Sequence, residues 1–468
     1  MLGETESLCP VCLKRIPARK VADNGKVYLE KTCPEHGEYK SLIWRQGAKH
    51  YLDWTKGNER GSGPLHNFTT VDRGCPYDCG LCPEHWTRAC TMVLEVTLRC
   101  DLSCPVCFAS ANQNREHEPD IDVIRGMYET AMEGVGNCTI QLSGGEPTVR
   151  DDLPQIVALG REVGFGHILI NTNGLRIARE PDYLRRLKEA GASAIYLQFD
   201  GVTDEVYRYI RGQNLLDIKR QALDNCTREK IGAILVPTLV PHVNDHQLGD
   251  IVRFAKGWIP TVKGIHFQPI SYLGRYPHPP GDEDRITIPD VINALESQTE
   301  GELKWQDFLP RHAQESHCSF SSFFVLNKER KLQALSNLAR GRVTGWGSCS
   351  ELPPEESSRR FMSRHWQLNE SCCQPGGVND FYDRLLNYYL TITCMPFQDV
   401  WSVDIDRLRG CCGHLVTPDR RIIPFCAYYL TSISGDRLYA NSLAAASVSK
   451  SRLRLPNNIT GNAFIRRG

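Results

Sequence analysis

Between residue 92 and about residue 275 the chain alternates two textures, and each predicts a different element. Short runs, apolar almost throughout, occur at Met92–Leu98, Cys138–Leu142, His167–Asn171, Ala194–Phe199, Ala233–Leu239 and Gly264–Pro269. Runs of that length and character read as strands buried on both faces. Between them, apolar positions recur at helical spacing over Ile121–Glu133, Leu153–Val163, Tyr183–Glu189, Leu216–Arg228 and His246–Lys256. Strands separated by single helices predict right-handed βαβ units and a parallel sheet, hence an α/β fold. Six such units predict a partial (β/α)6 barrel rather than a complete eight-fold one. In such folds chemistry gathers at the carboxyl ends of the strands.

The flanks have other textures. Residues 1–60 carry Cys9-Pro-Val-Cys12 and Cys33-Pro-Glu-His36, the pattern of a zinc-ribbon or rubredoxin-like knuckle holding one zinc or iron ion on Cys9, Cys12, Cys33 and either His36 or a fourth cysteine from elsewhere. Residues 61–91 are rich in glycine, proline and cysteine, as expected of a loop folded around an inorganic cofactor. Residues 276–376, rich in proline, serine and charge, predict an insertion or lid. Residues 377–436 open on a helical stretch and end in a second cysteine group, Cys394, Cys411, Cys412 and Cys426. Residues 437–468 form a basic tail with six basic and no acidic residues, either a solvated end or a peripheral membrane contact.

Composition narrows the function. Lysine plus arginine equals aspartate plus glutamate at 55 each, so no overall field favours nucleic acid. There is no long apolar span and no secretory leader pattern, which predicts a soluble cytoplasmic protein. In that compartment twenty cysteines favour metal over disulfides. Cys138 and Cys226 fall inside a predicted strand and helix and read as plain core thiols. The adjacent pairs Cys372-Cys373 and Cys411-Cys412 read as one ligand and one bystander each, or as a trap for a thiophilic substrate such as trivalent arsenic.

Ten cysteines precede residue 108, and six of them repeat one spacing: Cys75-x3-Cys79-x2-Cys82 and Cys100-x3-Cys104-x2-Cys107. Three thiolates at that pitch suit three corners of a [4Fe–4S] cube. Cys90 follows the first triad closely and reads as its fourth ligand, closing an auxiliary cluster; His85 nearby reads as a hydrogen-bonding neighbour. The second triad has no such partner, which leaves one iron open to a ligand. It follows the first predicted strand. The second strand ends in Ser143-Gly144-Gly145-Glu146-Pro147, the third in Asn171-Thr172-Asn173-Gly174 and the fourth in Gln198-Phe199-Asp200-Gly201.

A cysteine triad after the first strand and a GGEP sequence after the second resemble the radical S-adenosylmethionine (SAM) superfamily. The resemblance implies that Cys100, Cys104 and Cys107 hold a [4Fe–4S] cluster whose open iron chelates SAM. It implies that Gly144, Gly145 and Glu146 contact the methionine moiety, and that Asn171 or Asn173, with Gln198 and Asp200, contacts the nucleoside. The expected chemistry is reductive cleavage to a 5′-deoxyadenosyl radical that abstracts hydrogen from an unactivated carbon, fed by a low-potential donor of flavodoxin or ferredoxin type.

The order of cysteine motifs along the whole chain is similar to a narrower group, that of tetraether lipid synthase and proteins called pterin methylases. That likeness implies one or two auxiliary clusters, the carboxyl-terminal one on Cys394, Cys411 and Cys426 with its fourth ligand open. The first expectation is C–C bond formation or alkylation on a lipid or other hydrophobic substrate. The alternative is methyl or 3-amino-3-carboxypropyl transfer to a small substrate such as a pterin or arsenite. An iron–sulfur electron carrier or redox sensor is the non-enzyme alternative. No catalytic side chain stands out.

Overall fold

A computed structural model describes residues 1–54, 63–112, 118–311, 315–335, 354–368 and 380–439. Cys372-Cys373 and all but the start of the basic tail lie outside the described residues. Strands β1 (Gly3–Leu8), β2 (Arg15–Asp23), β3 (Lys26–Cys33) and β4 (Gly37–Trp44) form one antiparallel sheet in sequential order. The remaining strands are β5 (Thr91–Thr97), β6 (Thr139–Gly144), β7 (His167–Thr172), β8 (Ala194–Gln198), β9 (Gly232–Val236), β10 (Thr238–Leu239), β11 (Val262–Pro269), β12 (Leu309–Pro310), β13 (Phe320–Leu326), β14 (Leu332–Ala334), β15 (Tyr389–Cys394), β16 (Gly413–Val416) and β17 (Ile422–Pro424). All join one large sheet.

At its centre β5, β6, β7, β8, β9 and β11 run parallel in that order, with the expected helices between them. Asp120 starts the first helix, Ile121–Val135, by accepting the Val123 N–H at 2.9 Å. The strand periodicity sorts the side chains cleanly. Leu94, Ile140, Leu142, Ile168 and Ile195 face the helices in the main core. Leu169, Tyr196, Ile234 and Val236 face inward, where they meet Met362 and Trp366. The helix Pro354–His365 thus closes one end of the barrel, and Trp366 Nε1 donates to Thr391 Oγ1 at 3.2 Å.

Two further strands extend the parallel set. β15 pairs parallel with β11, and β16 pairs parallel with β5, so segments beyond residue 385 flank both edges of the barrel. The stretch expected as an insertion adds β12, β13 and β14 antiparallel beyond β15. Among the described residues no helix is long and apolar enough to cross a membrane.

The small amino-terminal sheet docks on the carboxyl-terminal segment through polar groups. Lys31, almost fully buried, donates to Ser7 Oγ at 3.0 Å and to the Val400 carbonyl at 2.7 Å, while Lys20 pairs with Asp404 at 2.6 Å. Arg15 donates to the Cys75 carbonyl at 3.1 Å and the Tyr77 hydroxyl to the Leu13 carbonyl at 2.8 Å, which ties the small sheet to the first cysteine triad.

Candidate active site at the carboxyl ends of the strands

Cys100, Cys104 and Cys107 line one cavity of about 270 Å³ together with the ends of β6, β7, β8 and β11. Their loop is pinned by its own chain. Asn112 accepts from the Cys100 N–H at 3.0 Å and donates to the Cys100 and Leu102 carbonyls at 3.1 Å each. Arg275, following β11, donates to the Cys104 carbonyl at 2.8 and 3.0 Å and to the Ala111 carbonyl at 3.2 Å. Its backbone also exchanges two hydrogen bonds with Cys107 at 2.9 Å. Burial pushes the Cys100 thiol up to about 12, so a thiolate there calls for a cation beside it. The donor set and the braced loop fit a [4Fe–4S] cluster.

Arg275→Met should therefore loosen this loop without touching a thiol. Losing charge-assisted hydrogen bonds to buried carbonyls costs about 2–3 kcal/mol. In the reconstituted protein a chelator should then strip the cluster iron at least about tenfold faster. Unchanged iron release would show that the brace carries no strain.

The Gly144-Gly145 pair packs against this loop rather than merely leaving room for a ligand. A Cβ on Gly144, whose φ is +127°, would lie 2.0 Å from the Thr97 carbonyl oxygen, and one on Gly145 2.2 Å from that of Arg99. The Gly145 and Glu146 N–H groups donate to those two carbonyls at 2.8 Å. The Glu146 carboxylate is buried, and burial raises its pKa. It accepts from the Thr148 N–H (3.0 Å), Thr148 Oγ1 (2.6 Å), Thr172 Oγ1 (2.7 Å) and the Asn173 N–H (2.6 Å). Three of these donors meet Oε1 and one meets Oε2, so the tetrapeptide can offer a ligand its backbone and one remaining acceptor position on Oε2.

Of the nucleoside candidates, Asn173 donates to Asp101 at 2.6 Å beside the cysteine loop, whereas Asn171 points into the barrel and donates to Gln141 Oε1 at 3.2 Å. Asp200 is fully buried and engaged: Arg211 binds it at 2.7 and 3.0 Å, and Gln198 donates to it as well. Lys219, also fully buried, donates to the Asn173 carbonyl at 2.5 Å and to Gln198 Oε1 at 2.8 Å, and burial brings its pKa down to about 7.

The sequence reading overlooked Arg211, Lys219 and Arg275. Lys219 left a trace, because it interrupts the buried stripe Leu216, Ala222, Leu223 and Cys226 of its helix.

The other cysteine groups fare unequally. Cys9, Cys12, Cys33 and His36 bring their ligand atoms within 4.8 Å of one another, and the His36 Nδ1 lies 3.7 Å from the Cys9 sulfur and 3.4 Å from that of Cys33. That donor set fits a tetrahedral zinc or iron ion. Cys75, Cys79 and Cys82 share a small cavity with Glu84, His85 and Arg409. Cys90 does not line it. It lines the central cavity instead, and its N–H donates to the Cys412 carbonyl at 2.8 Å. His85 is the imidazole at the triad, 2.9 Å from the Cys411 carbonyl and 3.1 Å from His414 Nε2.

The cysteines of the carboxyl-terminal group lie in different packing clusters. Cys394 packs in the main core, on the face of β15 that Leu390 and Ile392 share. Cys426 belongs to a separate cluster with Phe425 and Tyr429. Burial, with a smaller contribution from Cys318, raises the Cys411 and Cys426 thiols, and the Cys318 sulfur accepts from Arg407 at 3.3 and 3.4 Å. Cys138 and Cys226 are buried core thiols.

A parallel barrel with three cysteines on its first loop and a glycine-backed second strand end defines the class of radical SAM enzymes. The radical SAM superfamily matches residues 94–255, and the HMPTM N-terminal zinc ribbon domain matches residues 1–45. The chain is 39% identical to the 7,8-dihydro-6-hydroxymethylpterin dimethyltransferase of Methanocaldococcus jannaschii, over 92% of this chain and 93% of that one. It belongs to the radical SAM family of that protein. It is also 28% identical, over 37% of its own length and 56% of the other's, to a probable GTP 3′,8-cyclase of Methanothermobacter thermautotrophicus. Streptococcus suis SuiB, solved with its precursor peptide SuiA, is similar at 15% identity and a TM-score of 0.39, covering 46% of each chain. The expectation of a lipid substrate finds no support among these relatives; the pterin alternative does.

Proposed function

We propose that this enzyme is a radical SAM methyltransferase whose substrate is a reduced pterin of the 7,8-dihydro-6-hydroxymethylpterin kind. The observation that carries this reading is likeness along the whole chain: 92% of it aligns with the pterin dimethyltransferase, against 37% with the cyclase. The shared part therefore extends beyond the barrel to the flanking cysteine segments.

In this reading Cys100, Cys104 and Cys107 hold the [4Fe–4S] cluster, and the backbone of Gly144–Glu146 with Asn173 and Gln198 borders SAM. When bound, cluster and SAM supply a one-electron cleavage that delivers a carbon radical to a nearby C–H bond. The chain's own work is to orient and to exclude water. Phe108 packs against Phe425 at 5.4 Å and Tyr429 at 5.0 Å, and Phe397 stacks on Phe425 at 4.5 Å, so an aromatic wall stands beside the cysteine loop. Behind it the Glu95 carboxylate accepts from the Tyr428 and Tyr429 hydroxyls at 3.0 and 2.6 Å, which holds that wall in place. The Asp200–Arg211–Lys219 network fixes the strand ends on the opposite side. Auxiliary clusters at Cys75/Cys79/Cys82 and around Cys411/Cys426, with a flavodoxin- or ferredoxin-type donor, would supply electrons.

A second reading is alkylation or coupling of a hydrophobic substrate. Ile270, Leu273, Met395, Phe397 and Phe425 favour it, because they make one side of the cavity apolar.

One assay separates the two. Anaerobically reconstituted enzyme receives dithionite, SAM and either 6-hydroxymethyl-7,8-dihydropterin or a lipid extract, and products are read by mass spectrometry. Methylated pterin together with 5′-deoxyadenosine, and with S-adenosylhomocysteine left by the second SAM that gives up its methyl group, is the expected result. Unchanged pterin beside an altered lipid would replace the first reading by the second. Absence of any SAM cleavage product would remove both.

A further inference from the structure

The cavity has a second half, inside the barrel and away from the cysteine loop, lined by Gln141, Asn171, Tyr196, His266, Gln268 and Trp366. Gln141 and Asn171 sit on the neighbouring strands β6 and β7 with inward-facing side chains. Their one mutual hydrogen bond, Asn171 Nδ2 to Gln141 Oε1 at 3.2 Å, uses one donor and one acceptor. What remains is the Gln141 amide NH2 and the Asn171 Oδ1, and the latter is buried with no hydrogen-bond partner. Exchanging N and O in both amides leaves the same surplus, one donor group beside one acceptor.

Ring faces flank this edge. Tyr196 lies 5.9 Å from Trp366 and 5.7 Å from His266, centroid to centroid. His266 Nδ1 meets Thr393 Oγ1 at 2.7 Å, and burial keeps the imidazole neutral. Glu146, just past the end of β6, is the one carboxylate among the described residues lining the cavity; its Oε1 accepts three hydrogen bonds and its Oε2 one, from Thr148, Thr172 and Asn173. The inner half therefore offers uncharged hydrogen bonding and aromatic faces, with the positive charge of Arg311 nearby. An alkyl chain there would leave the amide groups dry and unpaired.

We infer that Gln141 and Asn171 form the edge-reading subsite for a flat nitrogen heterocycle that presents a ring N–H beside a carbonyl, as pterins and guanines do. This rests on the pterin reading above and assigns residues to it. It also moves Asn171 from the nucleoside of SAM to the substrate.

Equilibrium dialysis of the reconstituted full chain against 6-hydroxymethyl-7,8-dihydropterin, guanine and SAM tests it, in wild type, Asn171→Leu and Gln141→Leu. The two variants lie on different strands, so one can fail to fold without ending the test; circular dichroism and iron content establish which are intact. The expected result is a loss of dihydropterin affinity of at least about tenfold in the variants, with SAM affinity unchanged. Equal dihydropterin affinity in wild type and variants overturns the subsite and leaves the pterin reading standing. Uptake of guanine but not dihydropterin, lost in the variants, supports the subsite and removes the pterin reading. Retention of neither heterocycle by the wild type overturns the inference, and so does a loss of SAM binding in the variants with the heterocycle still held.

Discussion

Replacing Cys104 with alanine is expected to reduce 5′-deoxyadenosine formation to the level of a blank and to abolish SAM binding. Cys79→Ala is expected to leave SAM bound while disrupting turnover. The contrast follows from where the two triads sit. Cys104 lines the cavity that contains the strand ends, and Arg275 and Asn112 hold its loop there. Two thiolates cannot retain a cube that three hold, and without the cube nothing anchors the sulfonium ligand. Cys79 lines a separate small cavity with Cys75 and Cys82, bordered by His85 and Arg409. If, as proposed, that triad holds an auxiliary cluster, a ligand lost there would change electron supply and leave the SAM pocket intact. Isothermal titration with SAM and quantitation of 5′-deoxyadenosine check both halves. Equal SAM affinity in the Cys104→Ala protein would mean that the other triad is the one that binds it.

Gly145→Ala should be severely damaging for the addition of a single methyl group. The new Cβ would stand 2.2 Å from the Arg99 carbonyl oxygen and 2.9 Å from the Leu98 carbonyl carbon, both backbone atoms with no side-chain freedom to yield. Relief requires parting the end of β6 from the start of the cysteine loop. That breaks the hydrogen bonds from Gly145 N to Thr97 O and from Glu146 N to Arg99 O, each 2.8 Å. It also displaces Glu146, whose carboxylate four donors share. Overpacking plus broken buried hydrogen bonds costs about 3–5 kcal/mol. In a domain of this size that corresponds to a fall of about 5 °C in the thermal midpoint. Scanning calorimetry of the zinc-loaded, cluster-free protein reads it independently of activity. A midpoint within about 2 °C of wild type would show that the backbone contact is softer than its geometry implies.

The barrel strands were legible because each is a short apolar run, and each helix between them shows helical spacing. Leu153–Val163 and Leu216–Arg228 match their expected ends residue for residue. β15 and β16 were not placed in the barrel. Tyr389–Cys394 is apolar enough to be a strand in any sheet, and nothing local says that its partner is β11, more than a hundred residues earlier. The loop cysteines were legible because their spacing is itself the chemistry. Cys90 misled for the opposite reason: proximity in sequence suggested the first triad, while its strand start is held by Cys412.

Sequence alone determined the α/β class, the two knuckle motifs of the amino-terminal ribbon, the cysteine triad on the first barrel loop and the glycine-rich strand end that faces it. Those are local facts, carried by residues a few positions apart whose spacing sets their geometry. Tertiary structure alone decided that the glycines clear room for the Thr97–Arg99 backbone, and that Glu146 is bound within the protein. It also decided that Arg275 braces the cysteine loop and that Gln141 meets Asn171 inside the barrel. Each of those depends on chain segments far apart in sequence being brought within hydrogen-bonding distance, and burial then makes an unpaired donor or acceptor costly enough to matter.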